Sequence, residues 1–158
     1  MLLKKTAVLA FALSASAAAF AVDPISHTIQ MTATIPTSDF YVEPVDSTWI
    51  GKEQVLSWNP LTENLGNWSE KFDVKHTGGS ISAHLDAPAT MYGGNDTFDL
   101  AVAFNGNVVT TTAAEVVTAT QAATNYRTNL TITPTKPGTG YVAGDYSGTV
   151  ALVFDAVP

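Results

Sequence analysis

Over residues 28–35 the chain alternates without a break: Ile29, Met31, Ala33 and Ile35 fall on one face, and Thr28, Gln30, Thr32 and Thr34 on the other. A period of two over this length predicts a strand with one face buried and the other in water. Residues 22–26 before it and Pro36-Thr37-Ser38 after it supply no tight turn, so this strand has no local hairpin partner. The same period recurs downstream. Residues 53–58 set Val55 and Ser57 against Gln54, Leu56 and Trp58, and residues 68–76 set Trp68, Glu70, Phe72 and Val74 against Ser69, Lys71, Asp73 and Lys75. Ile81, Ala83 and Leu85 share a face, as do Phe98, Leu100, Val102 and Phe104, then Leu130 and Ile132. Near the end, Val150, Leu152 and Phe154 alternate with Thr149, Ala151 and Val153.

The breakers between these runs define the connections. Phe40-Tyr41-Val42 ahead of Pro44 predicts an edge strand, because Pro cannot donate to a central ladder. Residues 46–51 read as a turn, Asn59-Pro60 as a stop and residues 61–66 as a loop. Gly78-Gly79 predicts a hairpin turn, and Asn105-Gly106-Asn107 closes a hairpin over residues 97–111. Residues 86–96, with Pro88, Gly93, Gly94 and Asn95, predict a loop whose Met91 and Tyr92 fold back on the core. Residues 112–124 predict an irregular crossover, since Val and Thr dilute the helix propensity of the alanines. Residues 134–144, dense in Pro and Gly, predict a long surface connection. Many short strands separated by turn residues make the expected fold an all-β sandwich.

The leader changes what remains to be explained. Lys4 and Lys5, an apolar run from Ala7 to Leu13 and Ala19-Phe20-Ala21 fit a secretory signal, which places the signal at residues 1–21. Residues 7–21 are too short and too rich in Ala and Ser for a membrane span. Removal of 21 residues from 158 leaves 137, the size of one domain. Two of the seven basic residues leave with the leader and all fourteen acidic ones stay, giving 5 − 14 = −9. Nucleic acid is excluded as a partner, because phosphate binding needs clustered Lys and Arg. With no Cys, this exported domain holds together by core and ladder alone.

Both ends then match something specific. The leader, the Ile-x-Met-x-Ala-x-Ile run into Pro36, and the ending Ala143-Gly144-Asp145-Tyr146-Ser147-Gly148-Thr149-Val150-Ala151-Leu152-Val153 resemble the major pilin subunits of CS1 and CFA/I type fimbriae. The middle, from Phe40-Tyr41-Val42 through Phe72-Asp73-Val74-Lys75, is similar to the cable-pilus branch of that family. The resemblance implies an immunoglobulin-like β-sandwich lacking one strand, over residues 36–158, with an open apolar groove. It implies that residues 22–35 of a neighbouring subunit complete the sandwich, Ile29, Met31, Ala33 and Ile35 being the plugs and Ala33 the small one. The implied partners are identical subunits, a periplasmic chaperone, an outer-membrane usher and a tip adhesin, on a route through the periplasm to the surface fimbrium. Val150, Leu152 and Phe154 are groove wall or ordinary core, and the pattern leaves both open.

Other chemistry finds little footing. His27, His76 and His84 are isolated from one another and no Cys is present, so neither a metal site nor a cofactor is expected. The acidic pairs Asp96/Asp99 and Asp39/Glu43 fit a solvated acidic surface, and neither Gly-Gly pair precedes a helix as a phosphate cradle requires. No catalytic set converges, and no enzyme activity is expected. Trp49, Trp58, Trp68, Tyr41, Tyr92 and Tyr141 are core or interface filling, or a stacking platform for a host glycan. A minor or tip adhesin subunit and a secreted carbohydrate-binding β-domain are the alternative readings.

Overall fold

A computed structural model describes residues 39–158, which belong to one compact unit, Ile35–Pro158. The leader and the alternating segment 22–35 lie outside the described residues. Eleven strands and one short helix follow in order: β1 (Phe40–Pro44), β2 (Trp58–Asn59), β3 (Asn64–Leu65), β4 (Trp68–His76), β5 (Ser80–Leu85), β6 (Thr90–Gly93), β7 (Asp96–Phe104), β8 (Asn107–Val109), β9 (Ala114–Val117), α1 (Ala119–Ala122), β10 (Tyr126–Pro134) and β11 (Leu152–Val157). The larger sheet runs β1-β4-β10-β7-β6 with β8 also on β7, a smaller one runs β11-β5-β9, and β2-β3 is a separate ribbon. Every paired strand is antiparallel.

The alternation sets the core. Phe72 and Val74 of β4, Phe98, Leu100, Val102 and Phe104 of β7 and Leu130 of β10 face Ile81, Ala83 and Leu85 of β5 and Val116 and Val117 of β9, all buried. Their outward neighbours carry the charge. On that outer face Arg127 Nε and Nη2 donate to the two Asp73 carboxylate oxygens at 2.7 and 2.8 Å, across directly paired positions of β10 and β4. The Arg127 hydrogen bonds hold the Asp73 carboxyl below its ordinary value of 3.8. A depressed carboxylate stabilises the fold above its unfolded value and stops doing so as pH falls through the native one. Arg127→Ala is therefore expected to remove a small acid-side stability loss below about pH 4, read as melting temperature against pH.

One end of the sandwich is tied by a polar clasp. The Asn105-Gly106 turn needs two left-handed residues, at φ 54° and 76°, which Asn and Gly tolerate. Asn105 Oδ1 accepts from Tyr126 Oη at 3.1 Å and from buried Thr128 Oγ1 at 3.0 Å. Its Nδ2 donates to the Val116 carbonyl at 2.8 Å and to Gln121 Oε1 at 3.3 Å. Three elements, β10, β9 and α1, thus meet on one side chain. Asn105→Ala strands these partners and strains the turn, so a loss of about 2–4 kcal/mol is expected by denaturant unfolding, with Asn105→Gly recovering the backbone part.

Five expectations need correction. Gly78-Gly79 is no hairpin: β4 and β5 do not pair, and the turn carries the chain from the larger sheet to the smaller. A Cβ on Gly79 would collide with Val157 O and Pro158, so the close approach of the C-terminus is what requires glycine there. Residues 86–96 are not all loop, because Thr90–Gly93 forms β6 and turns through Gly94-Asn95 into β7. The stretch 112–124 contains β9 and α1, whose Thr118 and Gln121 form a reciprocal capping box. Residues 53–57 make no ladder, and the long C-terminal strand is laddered only from Leu152. These last two departures adjoin the same feature.

A strand-shaped apolar cleft as the candidate functional site

Between the unladdered residues 52–56 and the C-terminal stretch 144–154 lies a cleft of about 730 Å³. Its floor is apolar. Phe72 and Trp68 come from β4, Phe98 and Leu100 from β7, Leu130 and Ile132 from β10, and Met91 from β6. Leu56 and Leu65 close one side and Val150, Leu152 and Phe154 the other. The strands supply these side chains because each puts its buried parity toward the cleft, which is the unfilled part of the core.

Aromatic contacts shape the floor. Phe104 joins Phe72 and Phe154 at centroid distances of 5.7 and 4.8 Å, and Phe98 meets Tyr146 and Tyr141, each at 5.1 Å. Trp49 lies edge-on to Trp68 at 5.0 Å and to Phe72 at 6.2 Å. Trp68 Nε1 donates to Gln54 Oε1 at 3.1 Å, and Gln54 Nε2 donates to the carbonyls of Lys52 and Trp49, pinning the start of the 52–56 wall. Trp49 Nε1–H is buried with no acceptor among the described residues.

Both walls keep their backbones free. Ser147 exchanges hydrogen bonds with Tyr92 at 2.9 Å each way, and the Ala151 carbonyl accepts from Asp86 N. Those odd-numbered residues point their backbone toward β6 and β5, so the even-numbered ones between them point theirs to the cleft. Gly148 and Val150, like residues 53–56 opposite, have no backbone partner among the described residues. β11 continues this line as the edge strand of its sheet.

The residues singled out beforehand divide three ways. Val150, Leu152 and Phe154 line the cleft and also pack against the core, each half-buried. Ile29, Met31, Ala33 and Ile35 lie outside the described residues, as does His27. Of the other histidines, His76 Nδ1 is 2.9 Å from the Ser80 carbonyl and His84 lies 3.4 Å from Asp155. No group of three or more His, Asp or Glu suited to a metal occurs among the described residues. Trp58, half-exposed, lies edge-on to Tyr141 at 5.9 Å, while Trp49 and Trp68 pack on the core. Sequence reasoning read the alternation over residues 53–58 but missed that residues 52–56 stand unladdered as a wall of the cleft.

Fold and cleft together define the class: an all-β, immunoglobulin-like domain one strand short of a complete sandwich. The CooA pilin subunit from enterotoxigenic Escherichia coli has a similar fold, with a TM-score of 0.57 at 16% identity over 72% of this chain and 86% of that one. A search of curated sequences gives no match. Residues 25–155 match the CS1 type fimbrial major subunit family, and the chain belongs to it. It is a structural subunit of the cell-surface fimbrium, a pilin that polymerises with its own kind.

Proposed function

We propose that this pilin polymerises by donor-strand exchange, residues 22–35 of one copy completing the sandwich of the next. The observation that carries this reading is the cleft itself: strand-shaped, floored by Phe72, Phe98, Leu130 and Ile132, and bounded by backbones without partners among the described residues. Such a site is answered by an extended segment that supplies ladder hydrogen bonds at its edges and an apolar face to the floor. Residues 28–35 have that form, with Ile29, Met31, Ala33 and Ile35 on one face.

Magnitudes agree with a lasting joint. Three large apolar side chains at about 1.5–3 kcal/mol each, with several net hydrogen bonds at about 0.5–1.5 kcal/mol, come to on the order of 10 kcal/mol before ordering costs. An incoming backbone carbonyl also offers the Trp49 Nε1–H an acceptor. Before assembly, the open edge and apolar floor are an aggregation hazard. A periplasmic chaperone covering them, and an outer-membrane usher exchanging that cover for the next subunit, complete the route after a signal at 1–21 is removed; a tip adhesin caps the shaft. Deleting residues 22–35 while keeping the leader should leave soluble subunit and no filaments in electron micrographs of expressing cells. Filaments of ordinary length from the deleted chain would end the donor-strand reading.

A further inference from the structure

Asn105-Gly106 is the only Asn-Gly pair in the sequence; every other Asn is followed by a residue that carries a side chain. Asn is a thermolabile residue, and its side-chain carbonyl carbon is open to attack by the amide nitrogen that follows it. Glycine puts no Cβ beside that nitrogen. Here the nucleophile is unguarded. Gly106 is exposed, a Cβ on it would meet nothing within 4 Å, and its N–H has no backbone partner among the described residues.

The electrophile, by contrast, is held. Asn105 Oδ1 accepts from Tyr126 Oη and Thr128 Oγ1, and its Nδ2 donates to the Val116 carbonyl and to Gln121 Oε1. Its backbone N–H donates to the Asn129 carbonyl at 3.0 Å, which fixes the residue against β10 from a second side. We infer that Asn105 is a site of spontaneous deamidation held shut by the clasp, so that a copy whose clasp stays open is chemically and irreversibly marked at this turn.

The chemistry needs only solvent water. The Gly106 nitrogen bonds to Asn105 Cγ and gives up its proton, the Cγ–Nδ2 bond breaks, and Nδ2 leaves as ammonia. The resulting succinimide takes up one water and opens at either carbonyl, to aspartate or to isoaspartate, and nothing is oxidised or reduced. For Cγ to swing onto Gly106 N, the side chain must first release its partners on β10, β9 and α1. The rate therefore follows the fraction of copies in which this corner is open.

Neither product rebuilds the clasp. Aspartate has an acceptor oxygen where Nδ2 donated, and it faces two acceptors, the Val116 carbonyl and Gln121 Oε1. Isoaspartate adds a backbone carbon to the two-residue turn that joins Phe104 to its partner Asn107, and the tight left-handed geometry is lost. The preceding residue couples this corner to the cleft, because Phe104 packs on Phe72 of its floor and Phe154 of its wall. In so far as the donor-strand reading holds, a filled cleft braces Phe104, and copies in a filament react more slowly than copies awaiting a neighbour.

Sheared fimbriae, and the same chains unfolded in concentrated urea, are incubated at mildly alkaline pH. Peptide mass spectrometry follows the amide-to-acid mass change at each Asn, and enzymatic methylation counts isoaspartate. In urea, Asn105 should react about tenfold faster than any other Asn, and in fimbriae at least about tenfold more slowly than in urea. Thr128→Val, which removes one clasp donor, should raise the rate in fimbriae several-fold. Should that variant fail to assemble, sub-denaturing urea on the unaltered fimbriae should raise it in the same way. An Asn105 that is no faster than its fellows in urea overturns the site, and equal rates in fimbriae and in urea overturn the clasp as its brake. Subunit released from fimbriae and still folded should react faster than the filament. Equal rates there overturn the link to the cleft alone, whereas the donor-strand reading stands or falls by the deletion of residues 22–35.

Discussion

Met31→Asp is expected to abolish filament assembly while the subunit melts at its usual temperature. Met31 sits in the middle of the plug series and outside the compact unit Ile35–Pro158, so its replacement leaves the domain's own core intact. In the joint proposed above, the substitution would remove about 1.5–3 kcal/mol of apolar burial and set a carboxylate against the apolar floor of the cleft at a further cost of several kcal/mol. A combined loss of roughly 5 kcal/mol or more weakens each joint by about three to four orders of magnitude. Thr32→Asp, one residue on and facing outward, is the control and should assemble. Sheared-fimbria yield and electron microscopy read both, and normal filaments from Met31→Asp would remove the plug role from this face.

Phe104→Ala is expected to have the largest effect on the subunit itself. Phe104 is fully buried at the junction of three features, touching Phe72 of the larger sheet and Phe154 on the cleft wall while its strand ends in the Asn105-Gly106 turn. Truncation of a buried Phe costs about 3–5 kcal/mol through lost transfer energy and the cavity left behind. Against a total stability of roughly 5–15 kcal/mol for a domain, this yields a marginal or unfolded subunit. Denaturant melts should show the midpoint falling with an unchanged slope. A loss under about 1 kcal/mol would mean that Phe72 and Phe154 close over the gap, contrary to the packing of native cores.

What could be read from the residues follows from what local pattern encodes. The strands β4, β5, β7 and β10 were legible with their buried faces because alternation is a local consequence of the pleat and of burial on one side. The Asn105-Gly106 turn was legible because its left-handed geometry selects those two residues. Gly78-Gly79 misled because two glycines fit both a hairpin and a corner between sheets, and the cause of Gly79 is the distant C-terminus. β6 was hidden by its shortness: Thr90–Gly93 offers four residues, too few for a period to emerge from Pro and Gly on either side. Residues 53–56 alternate like a strand yet have no backbone partner among the described residues. Pattern reports the face a segment will bury, not whether its neighbour is in the same chain.

The start of β1 has a mechanical consequence. Asp39 O accepts from Thr77 N, and Phe40 through Pro44 then pair with His76 through Phe72 of β4, so the described chain begins on a five-pair ladder, and on the donor-strand proposal a pull from the neighbour would arrive there. Tension applied there along the strand axis loads those five pairs together, in shear, instead of peeling them one by one. The anchor therefore resists with its whole length at once, and a shaft of such units would transmit a pull from tip to cell without unravelling its subunits from their ends.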